Sequence, residues 1–200
     1  DMPPGPISGP AAWKGSDMAR CPEKWTFTLS PEELQEVDYA VQRVRRSGLG
    51  LNEITPGSFP LPQLGTRLTG LLEHQLIDGP GFAVLRGLPV ERYTIEQSAI
   101  AYLGLGSYLG SFRSQNAKGH LLGHVRDLGL DIRDNSTRYY QTTRQLDYHT
   151  DSCDIVGLLC LKTSRSGGES RVVSSVTLFN EILIRRPDLT RALFHAFPTD

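Results

Sequence analysis

The spacing of apolar residues changes at Gly79, and that change limits the folds open to this chain. Upstream, Leu34, Val37, Val41 and Val44, and then Leu64, Leu68, Leu71 and Leu72, recur at the spacing of one helical face. Downstream, apolar residues come in short runs bounded by Gly, Pro, Asp or Ser, the pattern of strands separated by turns. Helices first and clustered strands afterwards predict an α+β fold and argue against a doubly wound parallel sheet.

The punctuation sharpens this outline. Residues 1–30 hold Pro3, Pro4, Pro6, Pro10 and Pro22 among several glycines and read as an extended arm. Trp13, Trp25 and Phe27 lie in that arm, so it is expected to pack across a domain surface. Residues 31–200 read as a single domain. Ser30-Pro31-Glu32-Glu33 is a helix start with a capping box, and Gly48 is its stop. Arg43, Arg45 and Arg46 fall in the last turn, where cations complement the helix dipole. Residues 79–89 predict a buried strand, and Thr94 with Gln97 caps a helix presenting Ile95, Ala99, Tyr102 and Leu103. Further strands are expected over 121–125, 138–149, 154–161 and 170–174, with Gly167-Gly168 as a tight turn between the last two. Ser174 or Ser175 caps a helix from Val176 to Arg186, and Pro187 opens another.

One constellation suggests chemistry. In Tyr148-His149-Thr150-Asp151, residues i and i+2 of a strand point to the same side. His149 and Asp151 can then offer one imidazole nitrogen and one carboxylate oxygen to a common point. A 2-His-1-carboxylate Fe(II) site requires such a pair. The same dipeptide spacing also suits a histidine hydrogen-bonded beside a turn aspartate.

The surrounding residues narrow the choice. From Gly81 to Leu189 the chain resembles the taurine dioxygenase (TauD/TfdA-like) family of Fe(II)/2-oxoglutarate-dependent oxygenases. The matching pieces are residues 81–89 (GFAVLRGLP), Tyr148 to Asp151, residues 157–161 (GLLCL), Gly167-Gly168-Glu169-Ser170, and the run from Ser174-Ser175 through Asn180-Glu181 to Arg186-Pro187-Asp188-Leu189. The resemblance implies a jelly-roll-like double-stranded β-helix with flanking helices, incomplete at the C-terminus. It implies His149 and Asp151 as metal ligands and Fe(II) as the metal. It also implies 2-oxoglutarate as cosubstrate, contacted by Gln145, four residues before the histidine, and by Ser170. The activity implied is oxidation of a small organic substrate by O₂, releasing succinate and CO₂. The family's second ligand histidine and its 2-oxoglutarate arginine lie farther along than this sequence extends. The alternative is therefore a catalytically incomplete relative or fragment acting as a binding module, and a metal-dependent isomerase or hydrolase is a third reading.

Other residues have plainer explanations. His195 sits in a helix-like stretch and matches no ligand position, while His120 and His124 are four apart but flanked by Gly119 and Gly123. Gly104-x-Gly106 follows a helical pattern rather than a strand, unlike a dinucleotide loop. Cys153 reads as a packing thiol, and Cys21, Cys153 and Cys160 form no paired framework. Mostly buried thiols in a reducing compartment, with no leader pattern at the start, predict a cytoplasmic protein. Arg133, Arg138 and Arg144 suit either an anionic substrate or a solvated strand face. Lys and Arg together number 21 against 22 for Asp and Glu, so no bulk charge favours nucleic acid or an anionic membrane. The longest apolar run, Ile155 to Leu161, is short of the ~20 residues that cross a bilayer. A small molecule and O₂ remain the expected partners.

Overall fold

The computed structural model describes residues 3, 5–116, 119–126 and 146–196. Six α-helices are found among them: α1 (Gly15–Arg20), α2 (Pro31–Ser47), α3 (Leu64–Leu71), α4 (Ile95–Gly106), α5 (Ser175–Arg185) and α6 (Pro187–Thr190). The paired strands among the described residues are β1 (Thr26–Thr28) and β2 (Val84–Arg86), parallel, with Phe27 opposite Leu85. Two compact units are formed: Asp1–Leu34, Thr66–Leu88 and Arg171–Asp200 make the first, Gln35–Gly65 and Pro89–Ser170 the second.

In the first unit the capping box at the start of α2 forms as expected. The Ser30 amide donates to Glu33 Oε2 at 2.8 Å and the Glu33 amide to Ser30 Oγ at 3.2 Å. Glu33 is buried, so its carboxylate needs a further donor, and Arg67 supplies one at 2.6 Å. The same guanidinium reaches the Thr28 carbonyl at 3.2 Å, tying the end of β1 to the cap of α2. After Leu71 the helix loosens into a π-helical turn, Leu72–Ile77, in which the Asp78 amide bonds the Glu73 carbonyl. Gly79 closes the turn. A Cβ there would lie 2.5 Å from the His74 carbonyl oxygen, so no larger residue fits without a shift.

The arm is less extended than its composition suggests, since α1, a 3₁₀ turn (Pro22–Lys24) and β1 all fall within it. Its aromatics pack as expected: Trp13 and Trp25 flank Phe82 at ring-centre distances of 5.1 and 5.6 Å. Strand β2 appears where the apolar run predicted it, but it is not buried. Val84 is 37% exposed, and β1 is the partner it pairs with.

In the second unit Val37, Ala40, Val41 and Val44 of α2 are buried together with Ile54, Phe59, Leu61 and Leu64. Each of these side chains larger than alanine contributes roughly 1.5–3 kcal/mol when fully buried. Gly48 takes φ +70°, as a helix-terminating residue at that position should. Thr94 and Gln97 form the predicted capping box of α4. The buried face of α4 is Ser98, Ile100, Ala101, Leu103 and Gly104, rotated from the expected one, and Ile95 is 64% exposed. Gly104 explains the rotation. A Cβ at this position would meet the Phe59 ring at 2.5 Å, so the helix turns its smallest residue toward that ring. The glycine pair of this helix serves packing, not a phosphate.

The strands expected over 121–125, 154–161 and 170–174 are absent among the described residues. A strand satisfies its backbone N–H and C=O groups through a neighbour, and these runs have no ladder partner there. Their apolar residues stand open: Leu158 is 73% exposed, and Val125, Val156 and Val172 are exposed too. Cys153 and Cys160 are likewise exposed, against the expectation of buried thiols. Most of the 138–149 strand, with Arg133, Arg138 and Arg144, lies outside the described residues. Gly167 and Gly168 both have positive φ (+69° and +76°), but the two strands that the predicted tight turn would join are absent among the described residues. Among the described residues no helix is long and apolar enough to cross a membrane.

Candidate metal centre

His149 and Asp151 lie in the second unit on an irregular segment rather than a strand end, yet their side chains meet. His149 Nε2 stands 3.9 Å from Asp151 Oδ1, with both side chains about half exposed (54% and 52%). The other ring nitrogen decides which face of the imidazole is available. Nδ1 lies 2.7 Å from the main-chain carbonyl of Asp147. A carbonyl oxygen only accepts, so Nδ1 carries the proton in the neutral ring and Nε2 keeps its lone pair. Metal-bound histidines are commonly oriented by such a backbone contact.

Neighbouring contacts hold the segment. Arg113 donates to the Ser152 carbonyl at 3.2 Å. The Tyr102 hydroxyl, its pKa raised by burial, donates to the Gly157 carbonyl at 2.5 Å. Neither anchor was legible in the sequence, because each joins residues far apart in the chain and neither residue type is unusual at its position. The Asp147 carbonyl was equally hidden, since backbone acceptors leave no mark on residue identity.

The remaining predicted residues do not join this pair. Ser170 is exposed, with no hydrogen bond or ion pair to His149 or Asp151 among the described residues. Gln145 lies outside the described residues. His195 belongs to the first unit, at the end of the 3₁₀ turn Arg191–Phe194. His120 is held in a local turn, its Nδ1 3.0 Å from Asn116 Nδ2. Among the described residues no group of three or more His, Cys, Asp or Glu side chains could hold a metal ion.

The donor set nevertheless suits a divalent metal. Nε2 and Oδ1 are 3.9 Å apart on two half-exposed side chains that small rotations can bring to one ion. One imidazole nitrogen and one carboxylate oxygen are two of the three donors in a facial triad.

These residues occur in a context that other proteins share. The family model for taurine catabolism dioxygenase TauD, TfdA family, matches residues 49–199. The chain belongs to that family, whose members depend on Fe(II) and 2-oxoglutarate and whose fold is a double-stranded β-helix. It is 32% identical over 185 residues to FR-33289 synthase of Streptomyces rubellomurinus, a match covering 92% of this chain and 54% of that protein. It is 31% identical over 196 residues to the taurine hydroxylase-like protein SAT17 of Stachybotrys chartarum, covering 94% and 50%. The chain thus spans about half the length of these relatives.

Proposed function

We propose that this chain supplies the metal-binding pair and part of the cosubstrate site of an Fe(II)/2-oxoglutarate-dependent dioxygenase built on a jelly-roll core. The observation that carries this reading is the contact of His149 Nδ1 with the Asp147 carbonyl, which accepts the Nδ1–H hydrogen bond and leaves Nε2 facing Asp151. His149 Nε2 and the Asp151 carboxylate would hold the iron, with Ser170 and Gln145 offering donors to a 2-oxoglutarate carboxylate. The chemistry supplied by bound iron is activation of O₂, coupled to conversion of 2-oxoglutarate into succinate and CO₂, to oxidise a small organic substrate. The protein's own part is to orient the His149 imidazole, through the Asp147 carbonyl, beside the Asp151 carboxylate. Family membership and the names of the two relatives, one a synthase and one hydroxylase-like, support a small-molecule substrate.

The test is succinate formation from 2-oxoglutarate, dependent on added Fe(II), measured on this chain and on any longer form. Iron-dependent succinate that disappears in His149→Ala, with the circular dichroism spectrum retained, supports the reading. Iron binding with no turnover of 2-oxoglutarate by the longer form would favour a binding module or a different metal-dependent reaction.

A further inference from the structure

The arm and helix α5 of the first unit meet through an unusual set of contacts. Asn180 grips Ile7 twice: its Oδ1 accepts from the Ile7 amide and its Nδ2 donates to the Ile7 carbonyl, each at 2.7 Å. The Thr177 hydroxyl donates to the Trp13 carbonyl at 2.6 Å, and the Ser174 hydroxyl donates to the Ala11 carbonyl while capping α5 by accepting from the Thr177 amide. Lys14 pairs with Glu181 at 3.3 Å. Positions 174, 177, 180 and 181 share one side of a helix. That side forms a track for an extended chain.

Apart from the exposed Lys14 pair, every one of these bonds between α5 and the arm reaches main-chain atoms of the arm. Residues 6–10 are exposed, so little apolar burial holds that stretch. The one large anchor is Trp13, whose indole N–H donates to the Pro80 carbonyl at 2.8 Å and whose ring packs on Phe82. Ala11 and Trp13 also wall an open cleft of about 300 Å³, lined on its other sides by Pro80 to Phe82 and Val172 to Val176. A segment with few buried apolar contacts and exposed hydrogen bonds opens at a free energy well below that of global unfolding.

We propose that residues 7–14 form a detachable strap, clamped on the α5 track, that walls one side of this cleft and opens without unfolding the rest of its unit. The clamp reads backbone, so its strength lies in Ser174, Thr177 and Asn180 rather than in the strap's own sequence. Trp13 supplies the register.

Hydrogen exchange and limited trypsin digestion of the intact chain test this. In the unaltered protein, amides of residues 7–13 should exchange at least 100-fold faster than those in the middle of α5. Cleavage after Lys14 should accelerate at least tenfold in Asn180→Ala with Thr177→Val, with the melting temperature nearly unchanged, and Thr177→Ser should restore the slow rate. In a Trp25→Phe background the Trp13 emission should shift to the red when the clamp is removed. Equal exchange of the strap and α5, or cleavage that rises only in step with falling thermal stability, would show the arm to be part of the cooperative core and overturn the proposal.

Discussion

His149 donates its Nδ1 proton to the carbonyl of Asp147, 2.7 Å away, and so turns Nε2 toward Asp151. Metal affinity should therefore depend on His149 and Asp151 far more than on their neighbours. His149→Ala and Asp151→Asn are each expected to weaken Fe(II) or Co(II) binding at least tenfold in anaerobic equilibrium dialysis. His120→Ala, a histidine engaged with Asn116, should leave it unchanged. Equal affinity in all three variants would remove the pair from consideration as ligands.

Gly104 faces the Phe59 ring, which is fully buried. Two effects of Gly104→Ala oppose each other. Replacing a helical glycine by alanine favours the helix by about 1 kcal/mol. Forcing a methyl group against a packed ring costs typically ~1–3 kcal/mol. The close approach of 2.5 Å to three ring atoms makes the second effect the larger, so the variant should be less stable by chemical denaturation. A stabilised Gly104→Ala would mean that Phe59 can move aside cheaply.

The Glu33 carboxylate is buried and serves both the helix cap and Arg67. Removing Arg67 leaves a carboxylate short of a donor, whereas removing both partners removes the need. Arg67→Met should cost about 1–3 kcal/mol, and Glu33→Gln in the same background should recover part of it. A double-mutant cycle in urea measures the coupling.

Acid should loosen the strap. The Glu181 carboxyl is held below its ordinary value of 4.5 by its hydrogen bond to Lys14, then by the charges of Arg185 and Lys14. A carboxyl depressed in the folded state contributes stability above its unfolded pKa and loses it as the pH falls through the folded one. The protection of residues 7–14 against hydrogen exchange, taken relative to the intrinsic amide rate at each pH, should thus be flat from neutral pH down to about 4.5 and fall below it. Glu181→Gln should abolish that acid limb. Both groups are at the surface, so salt should mimic part of the effect.

Much of the helical half was legible in advance. The Ser30–Glu33 and Thr94–Gln97 boxes, the buried valines of α2 and the stop at Gly48 follow from contacts within one or two helical turns. Trp13 and Trp25 were rightly expected to pack rather than hang free, since aromatic rings of that size rarely stay in water. The rotated face of α4 was not legible, because it answers to Phe59, some forty-five residues away. The strands expected over 121–125, 154–161 and 170–174 are absent among the described residues for a related reason. Apolar alternation records what a segment would bury, but pairing depends on a neighbour that periodicity does not name.

The sequence by itself determined the local units and the spacing of the candidate pair: which segments turn into helices, where they are capped, and that an imidazole and a carboxylate stand two residues apart. The tertiary structure decided which nitrogen of His149 is free, which face of α4 is covered, and that α5 grips the arm through its backbone. Each of those outcomes is set by atoms brought together across long stretches of chain, often main-chain carbonyls, and residue identity carries no record of where a carbonyl will point.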